Sequence, residues 1–216
     1  MDVKMNSSYI AVEVPVKQDA GWFKELREKI SEHGISVKWQ DGHYHITLAF
    51  IFTFPSHYSP LAPLFQSVAY KVAPYLTFDK VDAFTTLSGQ HIVHLTSSSP
   101  SEGFKDIVKS VRDTVDKLGC EYAPDFKLHV TLGRVDGSQT SLEELKHTIS
   151  EISVPSFTLR LINVSYLEHQ THEEYDSVVM FQDEKTAKEA WEQRVREAFR
   201  NAGSNVQLYT DPDSFL

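Results

Sequence analysis

Two short stretches of the chain have the residue types and the order that acid–base chemistry at a phosphate requires. They are His45-Ile46-Thr47-Leu48 and, 84 residues later, His129-Val130-Thr131-Leu132. Histidine has an unperturbed pKa of roughly 6.5, so one imidazole can be neutral while a second is protonated near neutral pH. Cleaving a phosphodiester needs both forms: one group takes a proton from the nucleophile and the other gives one to the leaving oxygen. Such help is typically worth about 10²–10⁴ in rate. A hydroxyl two residues on lies on the same face of a strand and can donate to a non-bridging phosphate oxygen.

The surrounding sequence explains how these residues come to be displayed. Both motifs sit in apolar, strand-like segments, residues 44–52 (YHITLAFIF) and 128–135 (LHVTLGRV). Side chains alternate along a strand, so His45 and Thr47 share one face while Ile46 and Leu48 enter the core. The second copy repeats the pattern. Each motif also lies within the same order of elements, strand–helix–strand–helix–strand, and a repeat of that kind constrains the fold before any motif is read. In the first half, a strand at 9–14 stops at Pro15 and Asp19 caps a helix at 20–33 with Trp22, Phe23, Leu26 and Ile30 on one stripe. The motif strand follows, then a helix over 59–75 weakened by three prolines, and a strand at 76–86. In the second half come a strand at 91–96, a helix at 101–118, the motif strand, a helix at 141–152 opened by a Ser141/Glu144 capping box, and a strand at 157–168. A strand near 178–182, an amphipathic helix at 184–201 with Ala187, Trp191, Val195, Ala198 and Phe199 as its apolar stripe, and a polar tail complete the chain.

Two H-x-T motifs in matching apolar strands of a duplicated chain resemble the 2H phosphoesterase superfamily, of which the LigT-like RNA 2',3'-cyclic phosphodiesterases are the best-known branch. The resemblance covers residues 9–168. It implies an α+β, bilobal fold: two antiparallel-sheet lobes, at about 9–86 and 90–168, with outer helices around a central groove. The expected domain is 1–202, including a C-terminal strand and helix at 175–201, followed by a tail at 203–216. The resemblance further implies that His45 and His129 act as general acid and base, that Thr47 and Thr131 hold the phosphate, and that neither metal nor cofactor is needed. It leaves open which histidine is the base.

Several further residues are candidates for substrate binding. Tyr44 and Phe126 flank the motifs and could stack on a base. Lys127 precedes His129 by two residues and could share its face. Arg134 lies three positions after Thr131, on the opposite face of a regular strand, where a salt bridge is favoured over a phosphate contact. Tyr166, His169 and Tyr175 lie near an expected hairpin that could border the groove. Two rival readings stand beside this one. The pair His43/His45 has the spacing of a metal-dependent hydrolase, although Lys127 stands where a second-half counterpart of His43 would be, and His169–Glu174 is a second metal candidate better read as a polar turn. The other rival is a nucleotide-binding module without catalysis. No phosphate loop, dinucleotide fingerprint or serine elbow is present.

Composition narrows the partner. The 216 residues are 41% hydrophobic, enough for a core, and carry 21 Lys and Arg against 30 Asp and Glu. A net charge of -9 disfavours long RNA or DNA, whose non-specific binding depends on basic residues, and favours a nucleotide or short oligonucleotide held by a few local donors. Cys120 is the single cysteine, so an intrachain disulfide is impossible and a buried thiol is expected. The N-terminal sequence lacks a signal-peptide layout, and no apolar run is long enough to span a bilayer. The expectation is a cytoplasmic monomer without membrane association.

Overall fold

A computed structural model describes residues 7–53 and 68–202. Most of the helix expected over 59–75 and the whole tail at 203–216 lie outside the described residues.

Strand formation follows the apolar, β-branched segments. The first half supplies β1 (Ser8–Glu13), β2 (Val37–Trp39), β3 (His45–Thr53), β4 (Tyr75–Phe78) and β5 (Lys80–Thr85). The second supplies β6 (Gln90–Thr96), β7 (Glu121–Tyr122), β8 (Val130–Asp136), β9 (Phe157–Arg160), β10 (Asn163–Glu168) and β11 (Glu174–Val179). All the ladders between these strands are antiparallel, and the main sheet runs in the order β11-β10-β1-β3-β8-β6-β5, while β4 and β9 form a separate small sheet. The strands expected at 76–86 and 157–168 are each broken in two, because β4 and β9 turn away to pair with each other.

The α-helices among the described residues are α1 (Gly21–Glu32), α2 (Glu102–Lys117), α3 (Leu142–Ser150) and α4 (Glu184–Ala202). The buried stripe of α1 is the one read from the periodicity, Trp22, Phe23, Leu26 and Ile30, and that of α2 is Phe104, Ile107, Val108, Val111 and Val115. Helix α3 opens on the expected capping box, with the Ser141 hydroxyl accepting from the Glu144 amide and the Glu144 carboxylate accepting from the Ser141 amide. The start of α1 differs. A turn in which the Ala20 amide donates to the Lys17 carbonyl absorbs Asp19, and the cap falls on Ala20 with no side-chain bond. Helix α4 docks through Ala187 and through Trp191, which meets Tyr70 edge-on at 5.4 Å.

The mixed α/β, antiparallel architecture is the expected one, and the two motif strands meet in a single rung, Ile46 of β3 opposite Val130 of β8. Strand pairing crosses the sequence repeat. Short β2, from the first half, pairs with β8, and short β7, from the second half, pairs with β3. Each motif strand is therefore braced by a piece of the other half, and β1 with β10 and β5 with β6 likewise pair across the repeat. Cys120 is buried, and desolvation pushes its thiol up to about 11. No helix among the described residues is long and apolar enough to cross a membrane.

Candidate active site

The site is built by register. Ile46, Leu48, Val130 and Leu132 are fully buried, so the alternate residues His45, Thr47, His129 and Thr131 face the other way, into one cleft. Around the antiparallel rung Ile46–Val130, the next residue on each side places His45 across from Thr131 and Thr47 across from His129. Each histidine thus faces the threonine of the opposite half.

Beyond the threonines both strands carry a bulge. On β3 the partners step from Ala11↔Thr47 to Ile10↔Ala49, and on β8 from His94↔Thr131 to Val93↔Gly133. Leu48 and Leu132 are the extra residues, and the alternation is reset after them. Ala49 and Gly133 turn inward, and Phe50 and Arg134, each five positions after its histidine, turn out to line the cleft. This corrects the expectation for Arg134. It shares the face of Thr131 because β8 is not regular, and it forms no ion pair among the described residues. Gly133 is required at its position: a Cβ there would come within 2.5 Å of Val37 Cγ1 and 2.9 Å of Trp39 Cε3, both on β2.

Both imidazoles are held in the same tautomer. His45 Nδ1 lies 2.7 Å from the carbonyl oxygen of His43, and His129 Nδ1 lies 2.8 Å from that of Lys127. A carbonyl only accepts, so Nδ1 carries the hydrogen and donates it, leaving Nε2 available to take or give a proton. Their surroundings differ. His45 packs against Tyr9, with ring centroids 5.0 Å apart, while His129 meets Phe84 edge-on at 5.2 Å and His94 at 5.9 Å. Burial depresses the pKa of both. For His45 the neighbouring imidazoles of His172, His129 and His43 add to the effect, and for His129 the cations Lys127 and Arg134 do; in each case the backbone hydrogen bond opposes it. No Asp or Glu lines the cleft among the described residues, although the chain as a whole is acidic.

The remaining candidates divide. His169 lines the cleft, with Nδ1 3.2 Å from the Ser7 hydroxyl and its ring edge-on to Phe50 at 4.8 Å. Tyr44 does not: it is 5% exposed, alternates onto the core face beside Ile46, and its hydroxyl donates to the Gln40 carbonyl. Phe126 packs against Phe104, 6.2 Å away. Tyr166 is buried with its hydroxyl 3.0 Å from Ser8 Oγ. Lys127 is exposed and holds its ammonium 3.6 Å from the centre of the Phe84 ring, beside His129 rather than in the cleft lining. His43 sits outside β3 with φ 50°, so strand alternation does not make it a partner of His45; its ring lies parallel to that of His172. Among the described residues no three His, Cys, Asp or Glu side chains are grouped as metal ligands.

Tyr9, Gln40 and Phe50 also line the cleft and were not singled out from the sequence, and His172, read there only as part of the 169–174 turn, lines it too. A signal for Phe50 and Arg134 did exist. A glycine inside a strand pattern marks a bulge, and Gly133 and Ala49 occupy equivalent positions in the two copies.

An antiparallel bilobal sheet presenting two H-x-T strands to one cleft is the architecture of a 2H phosphoesterase. The profile of the 2'-5' RNA ligase superfamily matches residues 15–171, and the chain belongs to that superfamily. No curated protein sequence matches significantly. Among solved structures, Usb1 of Kluyveromyces marxianus is similar with a TM-score of 0.58 at 13% identity, over 82% of this chain and 100% of that one. E. coli LigT in complex with 3'-AMP is similar with a TM-score of 0.50 at 15% identity, over 81% of this chain and 98% of that one. A structure described as a phosphoesterase matches with a TM-score of 0.50 at 15% identity, over 82% and 99%. These likenesses establish a common fold.

Proposed function

We propose that the chain is a metal-independent phosphodiesterase that hydrolyses 2',3'-cyclic phosphates or 2',5'-linked or cyclic oligonucleotides, acting as a cytoplasmic monomer. The observation that carries this reading is the pair of imidazoles His45 and His129, each with Nδ1 committed to a backbone carbonyl and each opposite a threonine of the other half. In hydrolysis the neutral histidine takes a proton from water through Nε2 as the water oxygen bonds to phosphorus. The protonated histidine gives its Nε2 proton to the ribose oxygen as the P–O bond breaks. Two protons are handled by two groups, and each ends in the other's starting state. Thr47 and Thr131 donate to the non-bridging oxygens, where negative charge grows in the transition state. Arg134 and His169, on the rims, contact the rest of the nucleotide.

Substrate size follows from electrostatics. A cleft whose described lining holds no carboxylate, on a chain of net charge -9, suits a small anion better than a long polyanion. That LigT, a protein of the same fold, has been captured with 3'-AMP supports a nucleotide. The test is product analysis with a panel of nucleoside 2',3'-cyclic phosphates and 2',5'- and 3',5'-linked oligonucleotides, using wild type, H45A and H129A. Turnover is expected in wild type and a fall of roughly 10²–10⁴ in each variant. No product from any substrate, or near-normal turnover in both variants, overturns the reading.

A further inference from the structure

We infer that His43 and His172 form a slot that takes the nucleobase of the substrate between their rings. The inference rests on the nucleotide reading above and adds to it the place where the base binds. Both residues line the cleft and both are exposed. Their rings lie within 14° of parallel with centroids 6.3 Å apart. Rings that sandwich a base lie two stacking intervals of about 3.4 Å apart, roughly 6.8 Å, so these exposed rings, already near parallel and at a similar centroid separation, take a base between them by turning face to face.

The chain holds this arrangement against its own backbone preferences. His43, at φ 50°, and His172, at φ 58°, are the non-glycine residues in the left-handed region among those described. Such conformations are disfavoured and persist where surrounding contacts fix them. Those contacts are present. Tyr9 hydroxyl lies 2.8 Å from His172 Nδ1 and sets the ring's rotation. The Glu168 carboxylate shapes the hairpin turn beneath it, accepting from the amides of Gln170 and Thr171 and from the Thr171 hydroxyl. On the other wall, Gly42 at φ 77° and a bond from Gln40 Nε2 to the Gly42 carbonyl set the approach to His43.

The slot is also adjacent to the chemistry. The His43 carbonyl is the acceptor that fixes the tautomer of His45, so a base stacked on the His43 ring steadies the segment that aims the reacting imidazole. The aromatic residues first considered for stacking, Tyr44 and Phe126, are packed elsewhere.

The test compares binding of adenosine 3'-monophosphate with that of the same sugar phosphate lacking a base, by titration calorimetry. Wild type is expected to favour the nucleotide by about tenfold or more, the scale of a stacked base. The double variant H43N/H172N is expected to lose most of that preference. Asparagine tolerates positive φ and keeps the His43 carbonyl in place while removing both ring faces. In wild type, the ring-proton resonances of His43 and His172 are expected to move with the nucleotide and not with the baseless sugar phosphate, a readout that does not depend on the variant's folding. A wild type without preference, a double variant that keeps it, or unmoved resonances overturns the slot. Loss of affinity for both ligands alike also overturns it, because that is the mark of phosphate contacts. The two proposals fail separately: base-dependent binding without turnover sinks the phosphodiesterase reading alone, and turnover without base preference sinks the slot alone.

Discussion

Ile46 and Val130 pair across the centre of the sheet, and the two histidines and two threonines of the proposed chemistry are placed by counting outward from that rung. One step gives a histidine on one strand opposite a threonine on the other. Three further residues cross a bulge on each strand and deliver Phe50 on one side and Arg134 on the other. The backbone is nearly twofold at this point and the side chains are not.

Removing one hydroxyl tests the threonines. T47V and T131V keep the β-branched shape that suits a strand and delete only the donor. Each is expected to lower kcat by about 10²–10³, the usual cost of one oxyanion donor, with little change in thermal stability. Turnover within twofold of wild type would remove that threonine from the phosphate site.

The pH profile follows from the direction of the histidine shifts. Burial disfavours the imidazolium, so in the free protein both histidines give up their protons at lower pH than an exposed histidine does. The state with one neutral and one protonated ring is therefore most populated on the acid side of about pH 6.5. The bell in kcat/KM is expected to peak there. Its two limbs belong to the pair rather than to either ring. In kcat alone the peak moves to higher pH, because bound phosphate favours the imidazolium. A kcat/KM that still climbs through pH 8 contradicts this account.

Gly133 is expected to tolerate no side chain. In G133A the new Cβ overlaps Val37 and Trp39, and overpacking of this kind costs about 1–3 kcal/mol. For a chain of this size that lowers Tm by several degrees. The twin position already carries Ala49, which pairs with Ile10. An unchanged Tm in a thermal melt would show that β2 yields freely.

His94, 4% exposed, lies beside His129, and burial drives its pKa down to about 4. Between about pH 6.5 and 4 the unfolded chain takes up a proton that the folded chain refuses, so stability is full above that window and falls as pH drops through it. The difference of about 2.5 units corresponds to roughly 3 kcal/mol by pH 4. Urea unfolding at pH 7 and pH 4.5 is expected to show a smaller loss in H94Q than in wild type. Equal losses would mean that His94 is protonated in the folded protein.

Much of this site was legible because period two is a strong signal. The alternation His45-Ile46-Thr47-Leu48, repeated at His129, was enough to orient four side chains. The same alternation argues against Tyr44, which precedes His45 by one and belongs with Ile46 in the core. Arg134 was misplaced because a bulge changes phase without changing composition, except at Gly133. The cross-pairing of β2 and β7 was hidden for another reason: strands of three and two residues are too short to show a period. His43 and His172 meet through tertiary structure alone, each in a backbone conformation that no hydrophobic pattern reports.

The bracing of each motif strand by the opposite half has a mechanical consequence. With β2 stitched to β8 and β7 to β3, the halves are tied at more than the central rung. The imidazole spacing is thereby tied to the strand pairing itself, as in a jaw whose two sides are pinned together. New specificities in such a frame arise by remodelling the turns at 40–43 and 169–173, while the jaw itself stays as it is.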